Sequence, residues 1–333
     1  MRRLTLILSD LYLPEDASDT DTAQAHALPS LEWLLGMSDA PQFIGDWRAW
    51  LLAGAGNASN RSVMEFVAAG MVDDPASAGA WFATPVALES RLDHVRLQDR
   101  GLLRIDAAAR AALCAEFARV FGPQFLLHEG GERGFFLTGL APTAARSVDP
   151  ARLLGADIGD SLPARAAEEV RRLGAEIEMW LHGSDFNAQL ERARRRRVSN
   201  LWLWRGAARD AGPISPLPAD AEFFGSDPLI DALSRRALGR AQPAPDGYAG
   251  LAESAHAVVE LAPLSGGASE NLPALETRWF EPAGAALLAG ALDAIDIVAN
   301  DRRFVTERAA RMRFWRRRRH WLARLGEGSA AKA

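Results

Sequence analysis

The run Asn200-Leu201-Trp202-Leu203-Trp204-Arg205-Gly206 sets an amide and a guanidinium at the two ends of four consecutive apolar residues. Arginine binds phosphate or carboxylate through paired, charge-assisted hydrogen bonds that lysine reproduces poorly, so the chemistry on offer is recognition of a small anion. Four apolar residues are too few for a helix and suit a strand buried on both faces. At ~3.3 Å per residue the two polar ends stand roughly 16 Å apart, too far to touch one ligand atom together. Arg205-Gly206 falls just past the carboxyl end of the strand, where ligands collect in open α/β sheets. The same residues equally describe a core strand that ends in a surface arginine. The preceding helix, capped by Ser184 or Asp185, carries Asn187 and then Arg192 and Arg194–Arg197. Those five arginines form either a solvated face or an anion funnel.

Other groups capable of chemistry are scattered. Asp10 follows the first strand, a frequent metal or ligand position in α/β enzymes and equally a loop cap. Asp93-His94 is an acid–imidazole pair, but adjacent residues diverge on a strand or a helix, so adjacency alone makes no site. The six histidines form no His-x-x-x-His or similar ligand cluster. A two-metal phosphoryl-transfer site needs several Asp and His from separate strand ends. There is no phosphate-binding P-loop, dinucleotide glycine fingerprint or Cys/His zinc pattern. The nearest candidate for a nucleophile in a Gly-rich context is the poor one at Gly54–Ser59.

The elements that must position these groups follow from pattern and composition. The 333 residues suffice for one large domain or two ordinary ones, and nearly half are apolar. A net charge of −5 implies no general affinity for nucleic acid. The single cysteine, Cys114, lies on the apolar face of a helix and fits a reducing, cytoplasmic compartment. The apolar run at the start is shorter than that of a signal peptide and meets Asp10, Glu15 and Asp16. No stretch approaches the length of a membrane-spanning helix. Short apolar strands are expected at Leu4–Leu8, Leu201–Trp204, His256–Leu261, Leu275–Phe280 and Ile295–Val298, separated by helices or long crossovers. Asp106 caps a helix over 107–121, and Val170, Leu173, Ile177, Trp180 and Leu181 fall at helical spacing. Asn57 or Ser59 is the expected cap of the helix near 59–69, and residues 14–22 read as a loop. A basic helix over 308–325 closes the chain. Its Val305, Met312, Trp315, Leu322 and Leu325 make one stripe, predicted to be buried, with Arg316, Arg317 and Arg319 toward water. The tail from 326 is expected to fray.

The stretch LHGSDFN…VSNLWLWRGA resembles the RpfE-type bacterial regulatory proteins, and Asn-x-x-x-x-Arg-Gly-Ala resembles the archaeal-type cofactor-independent phosphoglycerate mutases of the alkaline-phosphatase superfamily. The match covers about 81–207. By that resemblance Asn200 and Arg205 are ligand-binding residues. Asn187, Arg192 and Arg194 join them more loosely, since the interval from Asn187 to Asn200 is one residue longer than the family's. It also implies that Asp10 holds a metal, manganese or another divalent ion. Here, however, the chain reads Asp10-Leu11 where the family has Asp-Gly. Leu28-Pro29-Ser30-Leu31-Glu32 resembles a Thr-Pro-Asn-Leu-Asp segment with its threonine lost.

The expected architecture is therefore α/β. A largely parallel sheet flanked by helices, a degenerate alkaline-phosphatase-like core, forms from 1–75 and 200–325. Residues 76–199 form a smaller α+β insertion, and the first strand and the Trp202–Trp204 strand share one sheet. A pocket between core and insertion would take a small phosphorylated or carboxylated ligand. Three readings follow: a regulatory, ligand-binding relative of the mutases; an active metal-dependent phosphoglycerate mutase or phosphatase; and an interaction protein working through its C-terminal helix. The first implies neither nucleic acid nor membrane as partner and leaves room for a protein partner.

Overall fold

The computed structural model describes residues 2–12, 26–56, 62–71, 79–131, 134–142, 147–159, 168–205, 216–251, 254–264, 271–313, 315–316 and 318–326. The expected loop at 14–22, the caps Asn57 and Ser59, Gly206-Ala207 and the tail from 327 lie outside them.

In chain order the elements are β1 (Arg3–Leu8), α1 (Pro29–Met37), β2 (Gln42–Phe43), α2 (Trp47–Gly54), α3 (Val63–Met71), β3 (Trp81–Ser90), β4 (Val95–Leu102), α4 (Ala107–Phe121), β5 (Leu126–Glu129) and β6 (Phe135–Thr138). Then come α5 (Glu168–His182), α6 (Asp185–Arg192), β7 (Asn200–Trp204), β8 (Glu222–Phe224), α7 (Pro228–Leu238), β9 (His256–Leu261), α8 (Leu272–Leu275), α9 (Glu281–Ala289), β10 (Ala294–Ala299), β11 (Arg302–Glu307) and α10 (Trp321–Gly326). They divide into two compact units. The first takes 1–58, 210–225 and 242–333, and the second takes 59–209 and 226–241. The chain thus leaves the first unit near 58 and re-enters it near 210, where the sequence placed the crossings at 76 and 199.

The first unit is a six-stranded mixed sheet in the order β2-β11-β10-β1-β9-β8. β1 lies parallel to both β10 and β9, and β9 is parallel to β8. β11 and β2 add an antiparallel margin. Period-two alternation turns Leu4, Leu6 and Leu8 of β1 toward the same cluster as Val259, Leu261, Ile295 and Ile297. Leu31, Leu34 and Leu35 of α1 and Leu275, Trp279, Phe280, Ala283 and Leu287 close that core. Between those β1 leucines lies Thr5, which donates to Asp296 on β10 (3.4 Å). The buried Arg303 pairs with the same carboxylate at 3.2 Å and lies 5.6 Å from the Trp50 ring. The strand expected at Leu275–Phe280 is helical instead, with a π turn over Glu276–Phe280. Its Glu276 carboxylate accepts from Ser30 and Leu31 N–H (2.5 and 3.3 Å), doing for the first turn of α1 what Leu28 at the cap position cannot.

The second unit holds a five-stranded antiparallel sheet, β4-β3-β6-β5, with β7 on the other side of β3. β7 was expected in the same sheet as β1. It pairs instead from Phe82↔Trp204 to Val86↔Asn200. Trp204 stacks on Phe82 at 4.4 Å and donates its indole N–H to Thr84 (2.9 Å), and Trp202 donates to Val148 O (2.9 Å). Every apolar residue of β7 is buried. A strand covered on both faces reads alike in parallel and antiparallel sheets, so its composition could not choose between them. Phe117, Leu113, Leu173, Ile177 and Leu181 of the helices pack with Leu201 and Leu203 in one core. Asp106 caps α4 by accepting from Ala109 N–H, which with Arg195 beside it holds its carboxyl below the ordinary value. α3 starts on a reciprocal cap: Glu65 N–H donates to Ser62 Oγ (3.2 Å), and Ser62 N–H donates to Glu65 (3.0 Å).

The closing helix expected over 308–325 is broken. Arg308–Met312 is a 3₁₀ turn and only Trp321–Gly326 is α-helical. Trp321 and Leu325 are buried, whereas Met312 and Trp315 are 63% and 67% exposed, so the predicted apolar stripe does not form. The arginines give the reason. Like charges three and four apart, as at Arg313, Arg316 and Arg317, oppose a helix here, and three of the arginine side chains have a better use at the C-terminus of α1. Arg313 donates to Met37 O (2.9 Å), Arg316 to Ser38 O and Arg324 to Leu35 O (3.2 Å). Cationic donors on the last carbonyls of a helix satisfy both their hydrogen bonds and its dipole.

Candidate functional site

A groove of about 480 Å³ lies within the second unit between α5 and β7. α5 is amphipathic: Val170, Leu173, Ile177 and Leu181 are buried, and the neighbouring stripe of Glu168, Arg171, Arg172, Ala175 and Glu178 walls the groove. Leu201, Trp202 and Leu203 supply its apolar floor. Gly174 widens it, because outside its own helix no atom lies within 4 Å of where a Cβ would stand. A cavity of this size with a mostly apolar lining and a few polar groups is typical of small-molecule sites.

Asn200 is the one residue named from the sequence as a site member that lines this groove. Its Nδ2 faces Glu178 at 3.4 Å, a long contact, and its Oδ1 is buried and accepts no hydrogen bond. Beside it Arg171 and Arg172 carry the positive charge. Arg172 reaches Glu176 only at 3.7 Å. These two arginines were missed because an exposed Glu/Arg stripe on a helix is what a solvated face also looks like. The pair Gly174-Ala175 on that stripe was the available signal, since small residues leave room where charged ones would not.

The other four ligand-binding assignments do not gather there. Asn187 is 1% exposed, and its side chain is spent on backbone: Nδ2 donates to Leu181 O (2.7 Å) and Val198 O (2.9 Å), and Oδ1 accepts from Val198 N–H (2.9 Å). It clamps the start of α6 to the chain entering β7. Arg192 bonds Ala188 O in its own helix. Arg194 sits at φ 55°, the left-handed residue that ends α6, where Arg195 N–H closes back to Leu190 O (2.8 Å). The contacts of the arginine run are local. Arg195 pairs with Asp106, Arg196 donates to Arg100 O (3.0 Å), and Arg197 bonds His182 O and Glu191. Arg205 is 8% exposed and bonds Glu65 at 2.9 Å and Ser62 at 3.3 Å, its guanidinium 5.9 Å from the Trp81 ring.

Asp10, in the first unit, is fully buried at the end of β1 and accepts from Leu264 N–H (3.1 Å). Among the described residues no three His, Cys, Asp or Glu side chains gather closely enough to hold a metal ion. The described residues around Asp10 therefore supply no donor set for a two-metal site. The Gly54–Ser59 nucleophile candidate runs into undescribed residues. His94 does meet Asp93 (2.6 Å) at the β3–β4 turn and also Asp157 (3.4 Å), and all three are exposed at a hairpin tip rather than in a cleft. Burial pushes the Cys114 thiol up to about 12, which leaves it an inert core residue. Among the described residues no helix is long and apolar enough to cross a membrane.

No family model matches the chain, and no curated protein matches it either. Among solved structures it is similar to the cofactor-independent phosphoglycerate mutase of Thermoplasma acidophilum DSM 1728, at 16% identity over 92% of this chain and 89% of that one, with a TM-score of 0.35. It is also similar to a protein from Pyrococcus horikoshii, at 14% identity over 92% of this chain and 87% of that one, with a TM-score of 0.41. Identities this low transfer no residue role and no activity.

Proposed function

We propose that the protein is a ligand-binding regulator, of the kind its RpfE-like sequence implies, and that its ligand is a small carboxylate with an apolar body held in the α5–β7 groove. The observation that carries this is the composition of the groove wall. Its donors are Arg171, Arg172 and the Asn200 amide, set over Trp202 and its leucine neighbours. Two arginines are matched there by two glutamates, Glu168 and Glu178, so the lining is close to neutral. A single negative charge can pair with an arginine while its apolar part covers Trp202. A multiply charged phosphate ester would meet both glutamates and leave the apolar floor uncovered.

The test is calorimetric titration of phenylacetate and of 3-phosphoglycerate. Phenylacetate is expected to bind the more tightly. Removing both arginine charges, Arg171→Ala with Arg172→Ala, weakens it by about tenfold or more, the scale of one charged hydrogen bond. Gly174→Phe fills the groove and abolishes binding without loss of stability, because its side chain enters open space and replaces a poor helix former. Tighter binding of 3-phosphoglycerate, indifference to Gly174→Phe, or no binding of either compound defeats the proposal.

A further inference from the structure

We propose, resting on the carboxylate reading of the α5–β7 groove, that its ligand is a zwitterion of dipeptide length: a free, apolar peptide of two residues. The wall carries both signs of charge in order along α5. Arg171 and Arg172 stand at one end, Glu178 stands at the other, and Gly174-Ala175 leave room between them. The contact of Glu178 within the folded chain is the long one from Asn200 Nδ2 at 3.4 Å, and Asn200 Oδ1 accepts no hydrogen bond. A ligand with a carboxylate alone uses the arginines and leaves these two acceptors facing it. A ligand that also carries an ammonium group gives them a charged donor. Turning the Asn200 amide to present Oδ1 to the groove breaks no short bond, since 3.4 Å is already at the limit of hydrogen bonding. A dicarboxylate would meet Glu178 and a diamine would meet the arginines, so the lining rejects both by like charge.

The spacing sets the length of the ligand. Glu178 is seven residues from Arg171 and six from Arg172, which is ~9–10.5 Å along the helix. Side chains on a helix lean toward its N-terminus and arginine is the longer, so the charged groups stand at least that far apart. Two charge-assisted hydrogen bonds of ~2.8 Å take up part of the span and leave ~5 Å or somewhat more between the ligand's charges. A single amino acid holds its ammonium and carboxylate only ~2.5 Å apart, whereas two extended residues span ~7 Å. An apolar side chain of such a peptide covers Trp202.

The experiment is calorimetric titration of the full chain at neutral pH with alanyl-phenylalanine, its N-acetyl form, phenylalanine and phenylacetate. The free dipeptide is expected to bind at least about tenfold more tightly than the acetylated one, which lacks the ammonium group, and than phenylalanine, whose charges stand too close. In Glu178→Gln the preference over the acetylated peptide should fall to about twofold or less. That variant should keep the wild-type melting temperature, since the side chain is exposed. Phenylacetate binding with no preference for the free dipeptide over its acetylated form would overturn the zwitterion and leave the carboxylate reading standing. Equal affinity for phenylalanine, or a preference unmoved in Glu178→Gln, would overturn this proposal in the same way. Binding of none of the four compounds defeats both.

Discussion

Asn187→Ala is expected to destabilise the second unit by about 3–4 kcal/mol, measured by urea unfolding. The side chain makes three hydrogen bonds at a site with almost no solvent access. Leu181 O would keep a second acceptance from Ser184 Oγ at 3.1 Å. Val198 would lose the partners of both its N–H and its C=O, two residues before β7 begins. Stranding a buried backbone group costs about 1–3 kcal/mol, and the vacated volume adds to that. Asn187→Asp should be as damaging, because a carboxylate can accept from Val198 N–H but faces two carbonyls that need donors. A loss below about 1 kcal/mol would mean that the clamp does not form. A ligand residue would behave in the opposite way, with stability kept and binding lost.

The second large effect is expected at Arg205. Arg205→Ala should cost about 2–3 kcal/mol, less than the fully buried ion-pair case because Glu65 retains some solvent contact. Arg205→Lys should recover only part of that loss, since lysine keeps the charge but cannot hold Glu65, Ser62 and the Trp81 face together. Combining Arg205→Ala with Glu65→Ala should cost clearly less than the sum of the single losses, because the two side chains share one interaction. Phenylacetate affinity should be unchanged throughout, as Arg205 does not line the groove. Unchanged stability together with lost affinity would return Arg205 to the ligand site.

These two residues show what the sequence could and could not say. The parallel trio β1, β9 and β10 was legible because each is a short apolar run between helices or crossovers. β7 has the same run, and only its pairing with β3 through Pro85 and Thr84 reveals the antiparallel sheet. Asn187 and Arg205 were named as ligand residues by resemblance, and an amide and a guanidinium recognise a backbone strand or a carboxylate with the same hydrogen bonds that would recognise a ligand. Which of the two they meet is a matter of tertiary placement. The capping box at Ser62 and Glu65 was readable in principle, and it is what positions the partners of Arg205. In the C-terminal segment the spacing of Met312, Trp315 and Leu322 pointed to a buried stripe. It failed because Arg313 and Arg316, between them, found carbonyl partners at the end of α1, and the segment followed those contacts rather than the helical period.

The claim that the ligand site is the α5–β7 groove is tested most directly by the indole N–H signals of protein carrying ¹⁵N-labelled tryptophan, recorded as phenylacetate is added. Trp202 floors the groove, and its indole N–H is fixed on Val148 O at 2.9 Å, so its signal reports on occupancy of the groove. The account predicts that the Trp202 signal moves most and saturates with the calorimetric affinity, and that those of the fully buried Trp50, Trp81 and Trp279 stay nearly fixed. A saturable shift at one of those three, with the Trp202 signal unmoved, would contradict it.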